Sequence, residues 1–287
     1  MRLHILTVLH KQRLRDCQTY RTLLLPAIER YADHVEIYAA DNSPDSFTRG
    51  ENRESARLAG IHFEDMKGNR GLPVAYNRLI DRIKGSIDRD EEETEAGYAG
   101  DWIVITDQDT EFPENYLSAL RDMAKITTAA VLAPVVKSGS VILSPCRRAG
   151  LRFVPGASVD DPREELRELY YINSGLAIRA DLFYTQKIRY DEALFLDFTD
   201  FDLISQIRAV RPLSFALLPD VIVRQQFSGT EERTPEADLE RYRQYLSDGR
   251  VFYKKWFPGN PMGELILRAR GLRLARKHGD RRFLKKT

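Results

Sequence analysis

Apolar residues follow two alternating patterns along the first half of the chain. Short runs rich in β-branched and other apolar residues predict strands, and longer segments with apolar residues every three or four positions predict amphipathic helices. The strands are expected at residues 3–9, 35–40, 61–65, 102–106 and 130–136. The helices are expected at residues 14–31, 72–84 and 113–125. This alternation is typical of βαβ units, so it predicts an α/β protein with a mostly parallel central sheet flanked by helices.

The pattern changes after Val136. Short segments broken by Ser, Gly and Pro up to Pro162 predict hairpins that are added to an edge of the main sheet. Helical periodicity then returns at residues 199–209, 236–256 and 262–277, with strands expected at 214–218 and 221–225. An acidic run between Gly85 and Gly100 predicts a solvated loop, because like charges repel one another and keep such a segment extended.

Composition narrows the class of protein. The 287 residues are 43% apolar and 30% charged, which excludes collagen-like, low-complexity and wholly disordered chains. Lys and Arg number 44 against 43 Asp and Glu, and this balance argues against a nucleic-acid binder that relies on a global positive field. Two cysteines, Cys17 and Cys146, are too few for a disulfide framework or a structural zinc site, so a reducing cytoplasm is the default expectation.

The chain shows no targeting or membrane-spanning pattern. His4 interrupts the first apolar run, and a basic segment without a small-residue cleavage site follows it, unlike a signal peptide. No run approaches the roughly 18 apolar residues that a membrane span needs. Any membrane contact is therefore expected to be peripheral.

The segment WIVITDQDTEF combines a hydrophobic strand with two acids, Asp107 and Asp109. Ligands of open α/β sheets bind beyond the carboxyl ends of strands. Two carboxylates at that position can hold a hard divalent cation, or place one oxygen on a metal and another on a ribose hydroxyl. The alternative is a turn in which Asp109 or Thr110 caps the helix that begins near Pro113.

Two further polar turns follow predicted elements. Asp41 ends a strand and precedes a turn, so it can accept hydrogen bonds from a nucleobase or sugar, or simply form an Asx-turn. The segment GNRGLPVAYNRLI turns sharply into a helix whose N-terminus favours an anion. Asn69, Arg70 and Asn77 supply its polar side chains. It lacks the P-loop and dinucleotide-binding patterns, which lowers the expectation of an ATPase or dehydrogenase.

A late segment, DEALFLDFTDFDLISQIR, carries five carboxylates among aromatic and aliphatic residues. If a helix begins near Thr199, Asp200 lies in its first turn, where the helix dipole favours a carboxylate. One of these acids can serve as a general base if the fold places it beside a bound hydroxyl. Ordinary helix capping by Thr199 and the neighbouring acids is the alternative.

In this order, the segments resemble the family-2 glycosyltransferases, which are inverting enzymes of GT-A fold, and especially their rhamnosyltransferase-like branch. The resemblance covers roughly residues 3–230 and depends on the order of the motifs. These are the first strand, the Asp-Asn-Ser turn, Asn69-x-Gly71 with Ala75 and Asn77, the D-x-D strand, Ser174-Gly175 and the late acidic helix start.

The resemblance implies a domain division and roles for individual residues. Residues 1–230 would form the GT-A domain, with a donor half at about 1–136 and an acceptor half at about 137–230, and residues 231–287 a C-terminal helical extension. Asp200 would be the catalytic base that deprotonates the acceptor hydroxyl. The implied donor-binding residues are Thr7, Asp41, Asn69, Arg70, Asn77 and Asp107. The implied acceptor-side residues are Asn173, Ser174, Gly175 and Asp197. The implied metal ligands are Asp109 and Gln226.

The implied cofactor is a divalent metal, Mg²⁺ or Mn²⁺, that bridges the two phosphates of the donor. The donor would be a UDP, dTDP or GDP sugar, and the acceptor a hydroxyl of a glycan or of a polyprenyl-linked glycan used in surface polysaccharide synthesis. Two departures from the family pattern stand out. Many relatives have a His where this chain has Gln226, a poorer metal ligand, so Arg224 can instead supply positive charge to the diphosphate. The other departure is Thr199, where many relatives have Glu.

Two other functions remain open from the residues. The segment ITDQDT superficially resembles the nucleophile motif of haloacid-dehalogenase-like phosphatases, although Glu111 stands where that motif needs Thr or Val. A catalytically inactive nucleotide-sugar-binding module is the non-enzymatic alternative, and Gln226 makes it conceivable.

The C-terminal tail, residues 268–286, is strongly basic and contains apolar residues at helical spacing. Such a helix can lie on an anionic membrane surface, which would suit a lipid-linked acceptor. A solvated helix with a frayed end is the alternative, and an apolar helix of this kind can also form a homodimer.

Overall fold

The computed structural model describes residues 1–44, 48–90, 98, 100–157, 165–210, 214–225 and 234–285. The strands in these ranges are β1 (Leu3–Leu9), β2 (Val35–Asp41), β3 (His62–Asp65), β4 (Trp102–Asp107), β5 (Thr110–Glu111), β6 (Val131–Ser138), β7 (Val141–Ser144), β8 (Cys146–Ala149), β9 (Arg152–Pro155), β10 (Leu176–Arg179) and β11 (Phe215–Gln225). The α-helices are α1 (Leu25–Tyr31), α2 (Arg49–Leu58), α3 (Leu72–Asp90), α4 (Tyr116–Ile126), α5 (Ala180–Tyr184), α6 (Thr199–Ala209), α7 (Pro235–Trp256) and α8 (Met262–His278). None of these helices is long and apolar enough to cross a membrane.

The main sheet has the strand order β3-β2-β1-β4-β10-β6-β11-β5. Strands β3, β2, β1 and β4 are parallel, β10 runs antiparallel between β4 and β6, and β6 is parallel to β11. Leu9 pairs with Asp41, and Val8 pairs with Asp107. The carboxyl ends of β1, β2 and β4 therefore meet along one side, called here the carboxyl edge, and the predicted mostly parallel sheet is confirmed.

Side chains of β1 alternate between two core layers, as expected for a strand buried on both faces. Leu6 and Val8 face a layer that contains α3. Leu3, Ile5 and Leu9 face a second layer that contains α4 and the segment before α1. The sheet is therefore covered by helices on both sides, in agreement with the sequence pattern.

The C-terminal helices share a third cluster of buried residues with the body of the protein. Residues of α7 and α8, including Leu246, Phe252 and Leu267, pack with Leu194, and Phe198 of the loop before α6 packs against the same cluster. The predicted bounds of both helices agree with the structure to within about one residue. The helices are thus attached to the segment that leads into Asp200.

Two helices differ from the prediction. Helix α3 continues through Gly85 to Asp90, because Ile87 extends the buried stripe of the helix and Lys84 pairs with Asp88 at 2.7 Å. Helix α2 was not expected, because it buries only Asn52 and Ala56 and therefore lacks an apolar stripe. The rest of the predicted acidic loop, residues 91–97 and 99, lies outside the described residues.

The helix predicted before β2 and the hairpins predicted after β6 also differ from the structure. The predicted helix at 14–31 is divided into a 3₁₀ turn, a π turn and α1. The extended backbone of Cys17 ends the 3₁₀ turn, and Pro26, which has no N–H for the α-helical ladder, follows the π turn in the first turn of α1. The hairpins after β6 do not lie at an edge of the main sheet, since β7 pairs with the inner strand β6 and β8 with β9 forms a separate two-stranded sheet. Strand β10 pairs with β6 only at residues 131 and 132, which leaves the far end of β6 to β7.

Candidate active site

Asp107 is the last residue of β4 and lies at the carboxyl edge. Its Oδ1 accepts a hydrogen bond from the Tyr76 hydroxyl at 3.1 Å, and Ser174 Oγ lies 2.7 Å from its Oδ2. Burial raises the pKa of the Asp107 carboxyl, and the hydrogen bonds from Ser174, Tyr76 and Gln225 act in the opposite direction. The first acid of the D-x-D pair is therefore held in one orientation by neutral donors.

Gln225, the last residue of β11, connects the two acids of the D-x-D pair. Its Nε2 lies 3.4 Å from both Asp107 Oδ2 and Asp109 Oδ1, and its Oε1 lies 2.9 Å from Ser174 Oγ. It reaches this position because β11 pairs with the short strand β5, directly after Asp109. The predicted ligand was its neighbour Gln226, which lies outside the described residues; the one signal for Gln225 in the sequence is its place at the end of a strand.

Asp200 lies in the first turn of α6, as predicted. Burial and the nearby negative charge of Asp107 raise the pKa of Asp200 to about 7, whereas the Thr199 hydroxyl and the Asn173 N–H stabilise its charged form. The Thr199 hydroxyl donates to Asp200 Oδ1 at 3.1 Å. The fold therefore brings together two acids that are far apart in the chain, and one of them has a pKa suited to proton transfer near neutral pH.

Two buried tyrosines, neither of which was predicted as a site residue, connect these acids. Tyr76 donates to Asp107, and its ring stacks on Tyr190 at 4.9 Å between centroids. The Tyr190 hydroxyl donates to Asn173 Oδ1 at 2.9 Å, and the backbone N–H of Asn173 faces Asp200. The only sequence signal was that Tyr76 lies on the buried face of a predicted helix, which is also the pattern of an ordinary core residue.

The segment Asn173-Ser174-Gly175 enters the site just before β10. Gly175 has φ +86°, and a Cβ at this position would lie 3.0 Å from the Phe112 ring and 3.1 Å from Pro134. Only glycine combines this backbone conformation with such close packing. Its tight turn aims Ser174 at Asp107, so the predicted acceptor-side segment and the D-x-D strand form one cluster.

The predicted donor residues around Asp41 form a second cluster at the carboxyl edge. Asp41 is buried, and its carboxylate accepts hydrogen bonds from the Ser43 N–H, the Thr48 hydroxyl and the Asn52 amide. The next residue, Asn42, connects this turn to the GNRG segment through Asn69 Oδ1 at 3.2 Å and the Arg70 N–H at 2.7 Å. Asn69 and Arg70 are exposed, whereas Asp41 has the structural Asx-turn contacts that were the alternative interpretation.

Two of the three other predicted site residues, Asn77 and Asp197, have side-chain partners. Thr7 is fully buried inside β1, and its hydroxyl has no hydrogen-bond partner among the described residues. Asn77 donates to the Tyr190 carbonyl and to Glu192 Oε1, both at 2.9 Å. Asp197 forms a bidentate salt bridge with Arg241 of α7. The roles of all three toward donor and acceptor stay predictions, and the contacts of Asn77 and Asp197 connect neighbouring segments of the site.

The D-x-D acids can contribute to a site for Mg²⁺ or Mn²⁺ but do not complete one. In the part of the chain that the structure describes, no three His, Cys, Asp or Glu residues form a group that could hold a metal. Asp109 is half-buried and offers hard oxygen donors at the carboxyl edge beside Asp107. Magnesium is commonly bound by one or two carboxylates together with substrate phosphates and water, so these residues fit a metal that arrives with a diphosphate.

Several glycosyltransferases of known structure share this fold. Staphylococcus aureus TarS residues 1–349 is 14% identical with a TM-score of 0.55, over 88% of this chain and 66% of that one. The mannosyltransferase PcManGT from Pyrobaculum calidifontis, in complex with GDP-Man and Mn²⁺, is 14% identical with a TM-score of 0.55, over 95% of this chain and 72% of that one. GalNAc-T7 with UDP, GalNAc and Mn²⁺ is 14% identical with a TM-score of 0.53, over 97% of this chain and 54% of that one.

The sequence identity to these structures is low, and part of each neighbour's chain has no counterpart in this one. The chain spans less than two thirds of the first two TarS chains, 66% of residues 1–349 and 40% of a longer one. No protein-family model and no curated protein sequence matches the chain. Likeness at 14% identity establishes the fold, and the predicted fold class is confirmed: the chain has the curled α/β sheet flanked by helices of the GT-A glycosyltransferases.

Proposed function

We propose that this protein is a metal-dependent inverting glycosyltransferase that moves a sugar from a nucleoside-diphosphate donor to a hydroxyl of a glycan or lipid-linked glycan. The observation that carries the proposal is that Asp200 lies near the D-x-D acids at the carboxyl edge and has a pKa raised to about 7. The structural neighbours add support, because they include glycosyltransferases determined with UDP-GlcNAc or with GDP-Man. Membership of the rhamnosyltransferase-like branch of family 2 belongs to the same proposal.

In the proposed reaction, Asp200 accepts the proton of the acceptor hydroxyl. The acceptor oxygen forms a bond to the anomeric carbon, and the bond from that carbon to the diphosphate oxygen breaks with its electron pair on the diphosphate. Attack opposite the leaving group inverts the anomeric centre, so one base is sufficient. Tyr76 and Ser174 hold Asp107, and the Asn173 N–H with Thr199 orients Asp200.

Asp109, with Asp107 beside it, would hold the metal, and Gln226 stays a predicted further ligand. When bound, a divalent cation neutralises charge on the departing diphosphate. Neighbours determined with Mn²⁺ support a metal of this kind. The exposed residues Asn69 and Arg70 stay candidates for donor contacts, together with Asp41.

Titration with nucleotides tests the donor proposal directly. We expect one of UDP, dTDP and GDP to bind the purified protein at micromolar concentration by calorimetry, and its affinity to fall on omission of Mn²⁺. The reason is that a carboxylate cluster repels a diphosphate unless a cation lies between them. Absence of binding by all three nucleotides to the folded protein would contradict the proposal, and hydrolysis of simple phosphate esters would favour the phosphatase alternative.

We further propose that α8 contacts an anionic membrane surface, as a lipid-linked acceptor requires. Met262, Leu265 and Leu272 on α8 and Leu284 beyond it are between 44% and 58% exposed. Exposed cations of α8 accompany them: Arg268, Arg273, Arg276 and Lys277. An apolar stripe beside cations is complementary to anionic lipid, whereas a second copy of the same surface would bring like charges together.

Vesicle co-sedimentation checks this surface. We expect the protein to bind vesicles that contain anionic phospholipid and not vesicles of zwitterionic lipid alone. The double variant Leu265→Ser with Leu272→Ser should bind at least about tenfold more weakly, because two leucines no longer enter the interface. Ile126→Ser, at an apolar position of α4 that is 78% exposed, is the matched control. If the double variant binds vesicles as the wild type does but differs from it in oligomeric state, the surface is a homodimer interface instead.

A further inference from the structure

A buried carboxylate of α7 holds the segment that leads into the catalytic helix α6. Asp248 accepts the N–H of Phe195 on Oδ1 at 3.0 Å, and the N–H groups of Leu196 and Asp197 on Oδ2 at 2.9 and 2.8 Å. Gln244 donates to Oδ1 at 2.9 Å. Asp248 is 1% exposed, so these hydrogen bonds replace the water that would otherwise solvate its charge.

The residues that Asp248 holds are directly followed by an unusual backbone position. Phe198 adopts the left-handed conformation, with φ +64°, immediately before Thr199 and Asp200. A bulky residue occupies this region only when its surroundings impose it. The backbone direction at Phe198 determines where the first turn of α6 begins, and therefore where the Asp200 carboxylate lies.

Other contacts from the same face of α7 hold this segment. Arg241 forms the ion pair with Asp197, and the Phe252 ring stacks on Phe198 at 5.1 Å between centroids. Gly249 permits this packing, because a Cβ there would lie 2.2 Å from the Leu267 side chain of α8 and 3.1 Å from the Phe198 ring. On the opposite side, the N–H of Leu72 at the start of α3 donates to the Phe195 carbonyl at 2.8 Å.

From these contacts we propose that Asp248 is a positioning residue for Asp200, so that the part of α7 around Asp248 orients the catalytic base. The inference rests on the proposed glycosyltransferase function. Asp248 fixes three consecutive N–H groups. With these fixed, Phe198 keeps its left-handed turn and Asp200 remains directed at the acceptor hydroxyl. Without this carboxylate, the segment would sample conformations that carry Asp200 away from its position.

The test compares Asp248→Asn with a matched acid of the same helix. Asp238 accepts hydrogen bonds from His278 at 2.8 Å and Lys277 at 3.0 Å, and contacts α8 and not the segment before α6. At a temperature at which the Asp248→Asn variant is folded, we expect its kcat to be about 10- to 100-fold lower than that of the wild type. Its nucleotide Kd should be unchanged within about twofold. Asp238→Asn should leave both quantities near the wild-type values, although it also removes the negative charge of an α7 acid that is hydrogen-bonded to α8.

Amide hydrogen exchange provides a measurement that does not depend on the function. The amides of residues 195–197 should exchange at least about tenfold faster in Asp248→Asn than in the wild type, and at the wild-type rate in Asp238→Asn. Unchanged exchange in Asp248→Asn would overturn the proposed hold on the segment. Faster exchange with unchanged kcat would overturn the positioning role. If the wild type neither binds nucleotide nor transfers sugar, the proposed function fails, and the exchange result still decides whether Asp248 holds this segment.

Discussion

Asp200→Asn is expected to lower kcat by about 10²–10⁴-fold, the range that general-base catalysis contributes, while the nucleotide Kd stays within about twofold of the wild type. Asparagine preserves the shape of the side chain but cannot accept the acceptor proton. The measurement is a transfer assay under saturating donor, paired with calorimetry on the same preparation. A variant that retains most of its turnover would show that Asp200 is not the base.

The pH dependence of the wild type provides a second readout of the same residue. Because the pKa of Asp200 is raised to about 7, kcat/KM should rise with pH through this value as the base loses its proton. The acid limb should be absent from the residual activity of Asp200→Asn. An unchanged acid limb in the variant would assign it to another group.

The same pKa has a consequence for stability, with a definite sign. Between the ordinary pKa of 3.8 in the unfolded chain and about 7 in the folded protein, the folded state binds the extra proton, so stability falls as pH rises through this window. Asn has no carboxyl group to ionise, so Asp200→Asn removes this decrease in the free energy of unfolding. Without metal, it should be more stable than the wild type at pH 8, by at most about 4 kcal/mol, and equally stable near pH 4. Urea denaturation with a chelator measures both values.

Asp109→Ala is the second prediction with a large expected effect. In the presence of Mn²⁺ we expect nucleotide to bind at least about 100-fold more weakly than to the wild type, and addition of Mn²⁺ should no longer strengthen binding. The physical reason is that, in the proposed site, Asp109 would supply the free hard oxygen ligands, because both carboxylate oxygens of Asp107 already contact Tyr76 and Ser174. Calorimetry with and without Mn²⁺ measures the change.

Asp122→Ala is the control for this experiment, because Asp122 is an exposed acid on α4 that pairs only loosely with Lys125 at 3.6 Å. It removes the same charge at a position away from the carboxyl edge. Its metal-dependent binding should match the wild type. Equal metal dependence in Asp109→Ala and the wild type would place the metal on other residues.

The sequence predicted much of the fold, because strands and helices leave local periodic signals. The bounds of β1 and α6 were predicted to the residue, and both acids of the D-x-D pair were expected at a strand end. The prediction failed for α2, which has no apolar stripe, and for the end of α3, where the acidic composition suggested a loop. In both cases, tertiary packing of one or two buried residues outweighed the composition of the segment.

By itself, the sequence determined which residues can act as acids and metal ligands and which ends of strands they follow, since turn chemistry and periodicity are local. Only the tertiary structure decided their partners. It placed Gln225 against the D-x-D pair and joined Tyr76 to Asp107. It also raised the pKa of Asp200 and brought Asp248 to a segment 53 positions earlier. Burial, charge proximity and long-range hydrogen bonds exist only after the chain has folded, so no local pattern could encode them.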